Sequence, residues 1–284
     1  MIKTILVLLF LTSALLAKID ICVSIPPQAF FVKQIAGEHA DVTVLIPPGS
    51  SPATFTPRPS QLRAIKKASI YFTIGVPFEH NWLERFRSIH PDLQIVDMTE
   101  GIEKLPMHDS LHEEAHHEDA HHHGSLDPHV WLSPMLVKKM AAVVKETLAK
   151  ADPAHAKAYD ANYRKFLDAL DRLHAQIAER LKPLKQRTFI VFHPSFGYFA
   201  REFGLRQVAI EKEGKEPSLH YIGRIIDFAR QNRIRTIFVE PQFSQKSARY
   251  IANKIGGKVV AIDPLAYDWD NNLVKVAESF EKAD

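Results

Sequence analysis

Residues 153–182 read PAHAKAYDANYRKFLDALDRLHAQIAERLK, and this run decides the fold. Apolar side chains recur along it at near-helical spacing. Asp152 and Pro153 suit a cap and a first-turn proline, and Pro183 ends the pattern. At 1.5 Å per residue such a helix would extend roughly 45 Å, longer than a typical globular helix and suited to a strut between two lobes.

On either side of the strut the chain alternates strand and helix. Upstream, KIDICVSIPP, DVTVLIPP, SIYFTIG and LQIVDMT read as strands. Between them AFFVKQIAG is helical with Gly37 as its stop, PRPSQLRAIKKA is helical with Ser60 near its cap, and FEHNWLERFRSI is a third helix. MLVKKMAAVVKETLAKA, just before the strut, is helical as well. Downstream the alternation resumes with TFIVFH, GYFAREFG, LRQVAI, HYIGRIIDFARQN, TIFVE, SQKSARYIANKIG, KVVAID and NNLVKVAESFEKA. Alternating elements of this kind build mostly parallel sheets with helices on their faces. The expected organisation is a first lobe over 18–133, linking helices over 134–183 and a second lobe over 184–284. The likeness between the lobes is one of βα pattern, without a short tandem repeat.

The N-terminus starts with Met1, Ile2 and Lys3 and continues into the apolar run ILVLLFLTSALLA, which ends at Ala17. That run is short for a membrane span and fits a secretory signal peptide over 1–17. Export to the periplasm is the expectation. Cys22 is the only cysteine, so no internal disulfide can form. In the apolar run IDICVSI it reads as a small buried hydrophobe rather than a zinc thiolate, and the residues before it lack the pattern of a lipoprotein cleavage site. A formal charge of +3 from 36 basic and 33 acidic residues, spread without a basic block, gives nucleic-acid binding no support.

Residues 107–127 read MHDSLHEEAHHEDAHHHGSLD and hold seven of the chain's 15 histidines: His108, His112, His116, His117, His121, His122 and His123. The stretch lacks the apolar surface that offsets ordering entropy and reads as a loop. Imidazoles and carboxylates are ligands for borderline divalent metals, zinc above all, so metal handling is the leading function. Three further segments place a candidate ligand where a strand or loop ends: His129 in LDPHVWLSP, His193 in FIVFHPSFGYF and Asp263 in VVAIDPLA. In open α/β sheets ligands gather beyond the carboxyl ends of strands, and two imidazoles with a carboxylate form a reasonable zinc shell. Each could equally be a turn residue beside its proline. The other histidines, His39, His90, His155, His174 and His220, read as solvated; His80 reads as structural, and Trp131 as packing beneath the site.

The segments IPPQAFFVKQIAG, IPPGSSPATFTPRPSQL, DPHVWLSP, FHPSFGYFAREFGL, FVEPQFS and IDPLA, with the charged histidine loop, occur in order over nearly the whole chain after residue 17. In these the chain resembles the ZnuA/TroA type of metal-binding protein that serves ABC importers. The resemblance implies two βα lobes with mostly parallel sheets joined by a long rigid helix, with the metal in the interlobe cleft. It implies Zn2+ as transported ligand, an ABC permease as partner, a monomer and no enzyme activity. Residue by residue it assigns the second, third and fourth ligands to His129, His193 and Asp263, and histidine at the third favours zinc over manganese. The first ligand is the departure: the family's histidine falls on Ala53, which cannot coordinate. Water, a histidine of the 107–127 loop or Glu240 in FVEPQ are the substitutes, water or a loop histidine being favoured and Glu240 more apt to support the shell.

Other classes make different demands. Three protein ligands and a water can activate a hydrolytic nucleophile, yet no HExxH segment is present. A manganese carrier and a zinc-scavenging surface adhesin are the remaining alternatives.

Overall fold

The structure is a computed structural model and describes residues 18–107, 126–211 and 215–284. The expected signal peptide and the loop histidines from His108 to His123 lie outside the described residues. The first lobe contains β1 (Ile19–Val23), α1 (Pro26–Ala36), β2 (Ala40–Val44), α2 (Pro59–Lys67), β3 (Ile70–Thr73), α3 (Pro77–Ile89) and β4 (Gln94–Asp97). The linking helices are α4 (Pro134–Ala151) and α5 (Ala156–Leu181). The second lobe contains β5 (Thr188–Val191), α6 (Gly197–Glu202), β6 (Arg206–Ala209), α7 (Leu219–Gln231), β7 (Thr236–Val239), α8 (Lys246–Ile255), β8 (Lys258–Ala261) and α9 (Trp269–Glu281).

Both sheets are four-stranded and parallel throughout, in the orders β2-β1-β3-β4 and β6-β5-β7-β8. The order explains the strand sequences. The interior strands β3 and β7 are buried at every position, as strands covered on both faces must be. The edge strands β2, β4 and β8 carry exposed or half-buried residues. The order also places a topological switch point between β1 and β3 in the first lobe and between β5 and β7 in the second, where open α/β sheets take ligands.

The strut is shorter than its sequence pattern predicts. A 3₁₀ turn over Pro153–His155 precedes the 26 residues of α5, about 39 Å of helix. The Asp152 carboxylate accepts from the His155 ring at 2.5 Å and from the Tyr159 hydroxyl at 2.6 Å, which holds this turn in its tighter form. His155 is therefore bonded rather than simply solvated, and its ring stacks on His39 at 3.8 Å. His174 and His90 are engaged too, beside Glu202 and the Ile65 carbonyl. His220 is exposed as expected, and His80 is exposed rather than structural. At α2 the helix starts at Pro59, because proline presets the first helical φ, so Ser60 sits inside the first turn.

One hydrophobic core runs from the first sheet through α1, α4 and α5 to α9 and the inner face of the second sheet. A smaller one lies between the second sheet and α7 and α8. Phe30 and Phe31 of α1, Phe166 of α5 and Trp269 of α9 form the aromatic centre of the larger core, with Phe31 edge-on to Trp269 at 5.0 Å. A continuous core couples the lobes, because moving one against the other would open close-packed contacts. Cys22 is buried in β1, and that burial pushes its thiol up to about 12, which keeps it protonated and inert.

Candidate metal centre

His129 follows Asp127 and Pro128 and precedes a 3₁₀ turn over Val130–Leu132. Its backbone N–H donates to Asp127 Oδ1 at 2.9 Å, and its ring Nδ1 lies 2.6 Å from the same oxygen. A carboxylate only accepts, so Nδ1 carries the proton and Nε2 keeps its lone pair. Trp131 packs below, its ring centre 5.0 Å from that of His129. Its indole N–H donates to the Pro264 carbonyl at 2.7 Å, and the Trp269 indole donates back to the Trp131 carbonyl at 2.8 Å. These two bonds, to Pro264 and from Trp269, tie the His129 turn to the second lobe.

His193 lies just beyond β5 at the second switch point. Its Nδ1 is 2.9 Å from Glu211 Oε2, its ring stacks on Phe243 at 4.7 Å, and its backbone N–H donates to Glu240 Oε2 at 3.2 Å. Glu240 is fully buried and also accepts from the Ser195 hydroxyl at 2.7 Å. Burial pushes its carboxyl up to about 7, against the pull of the neighbouring His193 and Ser195. Glu240 therefore supports the His193 turn from behind.

The first switch point repeats the device. Glu79, in the first turn of α3, accepts from the Ser24 hydroxyl beyond β1 and from the backbone N–H of Ile74 and Gly75, just beyond β3, at 3.0 and 2.7 Å. Burial pushes Glu79 up to about 7 as well. The lobes thus share a serine–glutamate clamp between their first and third strands, and only the second adds a histidine.

The rings of His129 and His193 meet edge to face with centres 5.2 Å apart. Both line a cavity of about 150 Å³ together with Ala53, Met107, Glu211 and Gln242. Ala53, on the loop before α2, thus faces the same space as the two imidazoles. Asp263 follows β8 and touches this wall through its neighbours: its Oδ1 accepts from Gln242 Nε2 at 2.8 Å and from the Leu265 N–H at 2.9 Å. Among the described residues no group of three or more His, Cys, Asp and Glu is gathered closely enough to hold a metal ion. The structure brings His129 and His193 together and holds Asp263 at one remove.

The second lobe also fixes where the histidine-rich segment leaves and rejoins the fold. The Leu105 N–H donates to the Tyr198 hydroxyl at 2.8 Å, and that hydroxyl donates to the Asp127 carbonyl at 3.0 Å. Pro106 pairs with Leu126 in an antiparallel bridge. Gly197, at the start of α6, makes room for Asp127, because a Cβ on it would stand 2.9 Å from Asp127 Oδ2 and force that carboxylate to shift. In the sequence Asp127 stands only among the acids of the loop, and Glu211, Gly197 and Gln242 belong to no ligand pattern. The available signals were the Asp-Pro-His spacing and the position of Glu211 just after β6.

The family model described as ZnuA, zinc-uptake complex component A, periplasmic, matches residues 21–282. The high-affinity zinc uptake system protein ZnuA of Bacillus subtilis (strain 168) is 29% identical over 252 residues, covering 87% of this chain and 79% of that protein. The manganese-binding lipoprotein MntA of Halalkalibacterium halodurans is 28% identical over 229 residues, 79% of this chain and 72% of that protein. A crystal structure of ZnuA superposes with a TM-score of 0.86 at 42% identity, covering 94% of this chain and 99% of that one.

Proposed function

This chain belongs to the family of periplasmic zinc-uptake complex components A, metal-binding substrate-binding proteins rather than enzymes, and from that premise we propose that it captures Zn2+ in the periplasm and delivers it to an ABC permease. His129 and His193 hold the ion through Nε2, and Asp263 supplies a carboxylate oxygen. The observation that carries this reading is the paired imidazoles. Two imidazoles on one tetrahedral zinc, at Zn–N of about 2.0–2.1 Å, put their ring centres roughly 5 Å apart. The rings of His129 and His193 stand 5.2 Å apart, each with Nδ1 committed to its own carboxylate. Such partners fix the tautomer and raise the basicity of a ligating histidine.

Two nitrogen donors favour zinc over manganese, which prefers an oxygen-rich set. The histidine-rich segment 107–127 acts as an accessory: many imidazoles and carboxylates give weak, fast capture, and the segment is rooted beside the cavity, which Met107 lines. Release calls for help from the permease, since the continuous core favours small motions between the lobes.

The test is equilibrium competition of Zn2+ and Mn2+ for the chain after residue 17. Zinc should bind at least a hundredfold more tightly, a factor equal to roughly 2.7 kcal/mol. Equal affinity, or preference for manganese, would overturn the assignment of cargo.

A further inference from the structure

Gln242 sits in the turn after β7, and its amide orientation is settled by its neighbour. Nε2 donates to Asp263 Oδ1 at 2.8 Å. Turning the amide over would set its oxygen against a carboxylate, so the assignment stands. Oε1 is then a buried acceptor, and among the described residues it is the one buried side-chain polar atom without a hydrogen-bond partner. Leaving such a group unpaired costs on the order of 1–3 kcal/mol, so its retention calls for a reason. Gln242 lines the same cavity as His129, His193 and Ala53. A donor for Oε1 would come from what that cavity holds.

We infer that Gln242 is a residue of the metal site: its side-chain oxygen accepts a hydrogen bond from a water bound to the ion, in the coordination position that Ala53 cannot fill. This rests on the assignment of zinc to His129 and His193 above. Three protein ligands plus water complete a tetrahedral zinc, and metal-bound water is a strong donor because the ion draws charge from it. Gln242 then serves both halves of the shell. Its N–H positions the Asp263 carboxylate, and its oxygen anchors the water. The ion this chain carries is accordingly an aquo-zinc rather than one enclosed by four side chains, and Gln242 and Ala53 act as a pair.

The pairing gives a test that separates the two roles of Gln242. Zinc affinity is measured by chelator competition for wild type, Q242L, A53H and the A53H/Q242L double variant, with H193A alongside and folding checked by thermal melts. Q242M replaces Q242L if the latter does not fold. The expected result is a 10- to 100-fold loss in Q242L, the usual range for partners around a metal shell. A53H should bind more tightly than wild type, its imidazole replacing the water. In the A53H background removal of Gln242 should then cost clearly less than in wild type, because only its contact with Asp263 remains to be lost. An equal loss in both backgrounds would mean that Gln242 acts only through Asp263 or touches the metal itself, and would overturn the inference. So would Q242L binding like wild type, or A53H binding no more tightly. Failure of the underlying reading appears separately, as H193A retaining wild-type affinity.

Discussion

The imidazoles of His129 and His193 meet edge to face, with ring centres 5.2 Å apart, and each is held there by its own carboxylate. Asp127 fixes one and Glu211 the other, both carboxylates almost fully buried. The pair spans the seam between the lobes, since His129 follows the first sheet and His193 follows β5. The geometry therefore depends on the contacts that seat the two lobes against each other.

Gly197 is one of those contacts. An added methyl at this position would stand 2.9 Å from Asp127 Oδ2, so Gly197→Ala must displace the carboxylate that orients His129. We expect about a tenfold loss of zinc affinity, the lower end of what disturbing such a partner does. The accompanying loss of stability should be about 1–3 kcal/mol. Chelator competition and urea melts measure the two. Unchanged affinity would show that Asp127 does not orient His129.

The first lobe's clamp makes a prediction about pH. Burial raises Glu79 from an ordinary 4.5 to about 7, so between these values the folded state binds more protons than the unfolded chain. The stability contributed by the protonated carboxyl is fully present below about 4.5 and is lost as pH rises through about 7. Glu79→Gln removes this dependence. Relative to wild type, the variant should therefore gain stability between pH 5 and pH 8, by at most on the order of 3 kcal/mol. Urea melts at both values test it, and parallel pH dependence of the two proteins would contradict it.

Deleting residues 107–123 separates capture from holding. The tight site should remain, with affinity within about threefold of wild type, while weak zinc equivalents detected by calorimetry disappear along with the seven imidazoles. Loss of the tight site on deletion would instead place a loop histidine in the primary shell.

Most of this architecture was legible in the sequence, because strands and helices advertise themselves through local periodicity. All eight strands and nine α-helices among the described residues fall on segments that the periodicity marks out. His129 and His193 were legible for the same reason, as histidines where a loop or strand ends. Their partners were not. Asp127 and Gly197 stand 70 residues apart, and nothing in the spacing of either segment announces that a carboxylate will lie against a glycine. The matched clamps Ser24–Glu79 and Ser195–Glu240 escaped notice because their separations differ, 55 and 45 residues, so no fixed period links them. His155 looks solvated in the sequence because its partner Asp152 has the look of a helix cap alone.

The central claim is that His129 and His193 together hold the ion. Zinc affinity of wild type, H129A and H193A, measured at equilibrium against a chromophoric chelator on the chain after residue 17 with residues 107–123 removed, tests it most directly. Each single variant should lose at least a hundredfold in affinity while melting cooperatively, and wild type should bind one equivalent. Wild-type affinity in either folded variant would contradict the account.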